Sequence, residues 1–159
     1  MQVIKQGAII EDAWQLVGLE DTLPEGDVIV PWARWKSERD SLLKRPGKRG
    51  VQINGDDDLD EVVADLAHFA LIALEFPRYA DGRCYSAARL LRDRYRYQGE
   101  LRAVGDVLRD QLFYMQRCGI DSFQLRPGED YQRALKAFQE LSVKYQSAAD
   151  RAQPIYRLR

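Results

Sequence analysis

One histidine and two cysteines are all that this chain of 159 residues offers to soft-metal and thiol chemistry. Cys84 and Cys118 stand far apart and form no CxxC pair or zinc-ligand set. Two thiols cannot hold a four-thiolate iron–sulfur cluster, and His68 alone leaves little for haem. No G-x-G-x-x-G follows an apolar run, and no G-x-x-x-x-G-K-[ST] occurs. No EF-hand spacing follows Asp56, Asp57 and Asp58. The sequence therefore predicts no cofactor and no metal. Long apolar runs are missing too. AHFALIALEF is far shorter than the roughly 20 residues a membrane helix needs, and MQVIKQGAIIEDAW lacks a signal peptide's apolar core and cleavage site. The expectation is a cytoplasmic protein with no membrane partner. A net charge of -1 and a pI near 5.9 argue against a general nucleic-acid binder.

What is present suits a globular fold. Hydrophobic residues make up 45% of the chain, enough for a core. The length predicts one domain over 1–159. Within it, 1–50 reads as an N-terminal part, 51–141 as a repeated core and 142–159 as a tail. Charge is laid out unevenly. Residues 1–77 carry eight basic and fifteen acidic side chains, whereas 78–117 carry nine arginines, five acidic residues and no lysine. Arginine's planar fork suits ion pairs and oxyanions. The block serves either to pair with the acidic first half or to receive an anion or acidic partner.

Apolar runs and helical spacings alternate along the chain. VIKQGAII reads as a strand or hairpin arm, and Glu11 to Gly26 as irregular. VIV at 28–30 is a short strand, after which Pro31 opens a loose helix ended by KRPGKRG. Val51–Ile53 is the next strand, and the three aspartates lead into a helix they suit electrostatically. FALIALEF is apolar throughout, which predicts a strand covered on both faces. Cys84, Ala87, Ala88, Leu91 and Tyr95 then mark a helix. Leu101–Val104 is a strand, and Asp106 is placed to cap a helix through Met115. Ile120–Leu125 is another strand, followed by a helix through Tyr131, Ala134, Leu135, Phe138 and Leu141. The fold class is α/β, with repeated strand–helix units in a mostly parallel sheet. A half-barrel-like curved sheet and a flat doubly wound one both fit. A complete eight-stranded barrel does not, since it typically takes about 250 residues.

In such folds ligands gather where strands end and helices begin. That rim offers Arg78, Arg83, Arg109 and Arg126 as an oxyanion clamp. Asp81 and Asp106 are the candidate proton carriers. Asp56, Glu75 and Asp106 could converge on a divalent ion, but structural pairing accounts for them better. Cys118 is the candidate thiol, although a helix C-terminus does not favour a thiolate. Arg89, Arg92, Arg94 and Arg96 form a candidate docking face.

FP, DGR-x-YS-x-AR-x-LR, GELRA-x-GDV-x-RDQ and RCG-x-D-x-F fall on Phe76-Pro77, Asp81–Arg92, Gly99–Gln111 and Arg117–Phe123. In these motifs, and over most of its length, the chain resembles the bacterial domain-of-unknown-function family numbered 934. Members carry the label of oxidoreductases of sulfite reduction, because their genes lie beside that of the sulfite reductase haemoprotein. The resemblance therefore implies a place in assimilatory sulfur metabolism, with that haemoprotein as partner. Cys84 departs from the family's usual glycine, whereas Cys118 falls on the RCG motif. Three expectations follow. The first is an accessory protein of sulfite reduction that docks through the Arg89–Arg96 face. The second is an oxidoreductase or other enzyme acting on a small oxyanion held by the rim arginines. The third is a thiol redox protein centred on Cys118. Half-barrel pieces leave a sheet edge or face to cover, which either a homodimer or a heteromeric interface would do.

Overall fold

The computed structural model describes residues 1–78, 82–141 and 143. Eight strands form one sheet: β1 (Gln2–Lys5), β2 (Ala8–Glu11), β3 (Gln15–Leu16), β4 (Val28–Pro31), β5 (Arg49–Ile53), β6 (Leu71–Phe76), β7 (Glu100–Gly105) and β8 (Ser122–Phe123). The helices are α1 (Trp32–Lys44), α2 (Leu59–Val63), α3 (Arg83–Asp93), α4 (Leu112–Arg117) and α5 over 131–141, with 3-10 turns at Leu66–His68 and Arg109–Gln111. The tail read over 142–159 lies outside the described residues apart from Val143, as does Asp81.

The strand order is β2-β1-β8-β7-β6-β5-β4-β3. From β3 to β8 the strands are parallel and stand in chain order. A doubly wound sheet reverses its order at a switch point, and this one does not. Right-handed crossovers that always step the same way place their helices on one face and let the sheet curl. The result is a mixed α/β half-barrel, mostly parallel, with β1 antiparallel to both its neighbours.

The first seventeen residues set the degree of curl. Gln6 and Gly7, both with positive φ (53° and 75°), make the two-residue turn between β1 and β2. β2 lies at one edge of the sheet and β3 at the other, yet only residues 12–14 separate them. Four residue steps reach at most about 14 Å, whereas seven strand spacings in a flat sheet measure about 34 Å. One short segment therefore ties the two edges together and closes the curl.

Two apolar layers result. Outside, Ile72, Leu74 and Phe76 of β6 join the main core with Trp35, Leu91, Leu112 and Phe123 under the helices. Inside, Leu71 and Ala73 pack with Ile29 and Val104, covered by Met1 and Trp14. This is why FALIALEF is apolar on both faces. Asp58 caps α2 by accepting from the Asp60 N–H at 2.9 Å. Three local readings change. The segment read as irregular contributes β3, and β8 covers only two residues of the predicted run. Asp106 does not cap a helix. A 3-10 turn starts three residues later, and Gln111 accepts from the Leu108 N–H at 3.2 Å to close it.

Candidate functional site

Parallel neighbours β5, β6, β7 and β8 end on one rim, as expected, but that rim does not gather its four candidate arginines. Arg83 donates to Asp56 at 2.7 Å in the cleft between α2 and α3. Arg78 is exposed beside residues 79–81, which are not described. Arg109 and Arg126 do come together, because they follow the adjacent strands β7 and β8. They line a cleft of about 370 Å³ with Arg133 of α5. Arg126 reaches Asp106 at 3.5 Å and Glu129 at 3.0 Å, and Arg109 lies 3.8 Å from Asp110. Asp106 is thus an ion-pair partner. Glu75 is bound by Gln52 at 3.0 Å. No group of three or more His, Cys, Asp or Glu among the described residues is placed to hold a metal.

The outer seam between α3 and α4 gathers a second set. Arg89 donates to the Cys118 sulfur at 3.4 Å and to the Tyr114 hydroxyl at 3.4 Å, and its guanidinium lies 5.7 Å from the Tyr114 ring centre. The Tyr114 ring continues into Tyr85 and Phe76 through two contacts of 4.9 Å. Burial pushes the Tyr85 phenol upward. Tyr114 itself is 46% exposed. Cys118 is only 3% exposed, so the exposed thiol that a redox role calls for is not what this fold provides. Cys84 is also buried, and its thiol reaches the Glu75 carbonyl at 3.1 Å.

The four docking candidates divide. Arg89, Arg94 and Arg96 are exposed. Arg92 is turned inward and acts as a clamp. It donates to the carbonyls of Gly119 (3.0 Å), Tyr97 (2.7 Å) and Gly99 (2.8 Å), and to Asp121 at 2.5 Å. Asp121 also accepts from the Leu101 N–H at 2.8 Å, which fixes the entry to β7. Gly119 has φ of 104°, and a Cβ there would stand 2.5 Å from the Arg92 Cγ.

A third set lies inside the curl. Arg102 is fully buried. It donates to Glu100 at 2.7 Å and Ser122 at 2.9 Å, and it is ion-paired with Asp12. Lys5 holds the other oxygen of Glu100. Burial works to raise the Asp12 carboxyl, but the Arg102 hydrogen bond and charge outweigh it and hold the group below the usual range. Asp12 sits in the short segment that joins the sheet edges, so this pair fastens the closure.

Residues 50–156 match the model of the family described as Bacterial protein of unknown function (DUF934). The chain belongs to this family. No curated protein and no solved structure matches it. The DUF934 motifs can now be read on the fold. In GELRA, Glu100 and Arg102 build the inner ion network. The last arginine of AR-x-LR is the clamp Arg92, which meets the glycine and aspartate of RCG-x-D. The glutamine of RDQ closes a turn. Much of the shared pattern therefore builds architecture rather than chemistry.

The residues missed from sequence are Arg102, Glu100, Asp12 and Ser122 in the interior, Tyr114 on the seam and Arg133 in the cleft. Only the first pair leaves a sequence signal. Glu100 and Arg102 alternate with Leu101 and Ala103, which turns them to the opposite face of β7 from the main core.

Proposed function

We propose that this DUF934 chain is an accessory protein of assimilatory sulfite reduction that acts by binding the sulfite reductase haemoprotein. The observation that carries the reading is the exposed arginine–tyrosine surface on α3 and α4: Arg89 stacked on the half-exposed Tyr114, with Arg94 and Arg96 at the end of α3. Arginine and tyrosine dominate the energetics of protein interfaces, because both offer large contact area together with hydrogen bonds. The surface suits an acidic partner. A thiol-centred activity draws no support from the buried Cys118 and Cys84. The rim draws less support as a catalytic centre, since Asp106 is engaged by Arg126 and Arg83 by Asp56.

The test uses the two purified proteins at micromolar concentration in physiological salt. A complex on size exclusion is expected, and it is lost when Arg89, Arg94 and Arg96 are all changed to glutamate. The reading fails if no complex forms, or if the charge-reversed protein binds equally well. Arg92 is left intact, because its removal would disturb the fold.

A further inference from the structure

The cleft at the ends of β7 and β8 is independent of the docking face. Three guanidinium groups line it, supplied by the turn after β7 (Arg109), the segment after β8 (Arg126) and the first turn of α5 (Arg133). Three carboxylates share the cleft, and their commitments decide what it can hold. Asp130 accepts the backbone N–H groups of Gln132 and Arg133 at 2.9 and 3.2 Å, so it caps α5. Glu129 is bound to Arg126 at 3.0 Å, and Asp106, just behind the cleft, reaches the same guanidinium at 3.5 Å. Asp110 is 90% exposed and reaches Arg109 only at 3.8 Å, a pair that water largely screens. Arg133 meets no carboxylate among the described residues at ion-pair distance. Arg109 and Arg133 are thus available, and Arg126 stands beside them in its pairs with Glu129 and Asp106.

We propose that Arg109, Arg126 and Arg133 form a binding site for a small, doubly charged oxyanion. Such an ion presents several acceptor oxygens to planar donors, which is the geometry guanidinium groups satisfy best. Its place also fits, outside the carboxyl ends of two adjacent parallel strands. A cleft of about 370 Å³ is larger than a bare tetrahedral anion needs, so an organic phosphate or sulfate fits as well as the free ion.

Titration with inorganic phosphate and sulfate at ionic strength balanced with chloride tests the site, with amide chemical shifts as the readout. The expected result is a saturable shift confined to residues 106–110 and 126–133. Arg109→Ala or Arg133→Ala weakens it about tenfold or more, the equivalent of one charge-assisted hydrogen bond. Arg94→Ala, on the other face, leaves it unchanged. Sulfate also stabilises folded proteins by exclusion from their surface, an effect that these variants would share with the parent chain. Shifts that rise linearly, map elsewhere or persist in both cleft variants overturn the proposal. Addition of phenyl phosphate separates the sources. Tighter binding than inorganic phosphate points to an organic ester, and equal or weaker binding to the free ion. Loss of haemoprotein binding leaves this result untouched, because the two surfaces share no residue.

Discussion

Replacing Arg102 with methionine keeps much of the side chain's length and removes its charge. The carboxylates of Glu100 and Asp12 then remain inside the curl without their principal cation. Breaking a buried pair in this way costs about 3–5 kcal/mol. The lower end applies here, because Asp12 and Glu100 keep 19% and 13% of their side-chain exposure and Lys5 still reaches Glu100. For a chain of this length, a loss of about 3 kcal/mol lowers Tm by roughly 6–12 °C. Equilibrium unfolding in urea, followed by tryptophan fluorescence, measures it. The triple variant Asp12→Asn, Glu100→Gln, Arg102→Met removes all three charges and recovers at least half of the loss, since the cost lies in stranded charge. The pH dependence has a definite sign. Asp12 has its folded pKa below the unfolded value near 3.8. Its contribution is therefore complete above that value and is lost as pH falls through the folded pKa. The gap between the parent chain and Arg102→Met narrows in acid accordingly. A loss under about 1 kcal/mol for the single variant, or a triple variant no more stable than the single, would refute the reasoning.

Other expectations rest on separate contacts. Arg92→Ala removes four hydrogen bonds and costs about 2–3 kcal/mol by urea unfolding, whereas Arg94→Ala, on the exposed end of α3, stays within about 0.5 kcal/mol. Gly119→Ala forces a Cβ into the left-handed region and against Arg92, and it destabilises by about 1 kcal/mol or more. Cys84 and Cys118 react with a thiol reagent at least about tenfold more slowly in the folded chain than in urea, because both are buried. Asp65 accepts from the Trp35 indole at 2.8 Å and from Arg39 at 3.0 Å. Burial tends to raise its carboxyl, but these bonds hold it low, so Asp65→Asn flattens the fall in stability at acid pH.

The parallel core was legible because its signals are local and strong. β6 announces its two covered faces by unbroken apolarity, and α3 shows its buried stripe at Cys84, Ala88 and Leu91. β3 and β8 were hidden or overdrawn because a two-residue strand carries no period. The curl itself was undecided, since flat and curved sheets share one strand–helix rhythm; closure follows from β2 and β3 lying at opposite edges with only residues 12–14 between them. Arg102 shows the same limit at one residue. Alternation put it on the far face of β7, but only closure makes that face an interior. In the cleft, Arg109 and Arg126 were legible as strand-end cations on successive units. Arg133 was not, because it comes from a helix whose direction depends on how α5 returns to the sheet. Arg92 looked like its neighbours Arg89 and Arg94, and the carbonyls it clamps leave no mark in a sequence.

The joined edges also fix an order of assembly. β4 to β7 can pair as they emerge during synthesis, each strand beside the one before it. β1 has only its hairpin partner until β8 is made, and an isolated hairpin is marginal in water. The pairing of Arg102 with Asp12 bridges 90 positions, and that of the Tyr131 hydroxyl with the Gln2 carbonyl bridges 129. Contacts so distant in sequence form late and slowly, after much of the chain's entropy has already been surrendered. The segment that carries β1, β2 and Asp12 is thus expected among the last to settle, and Arg102 stays open to water until it does.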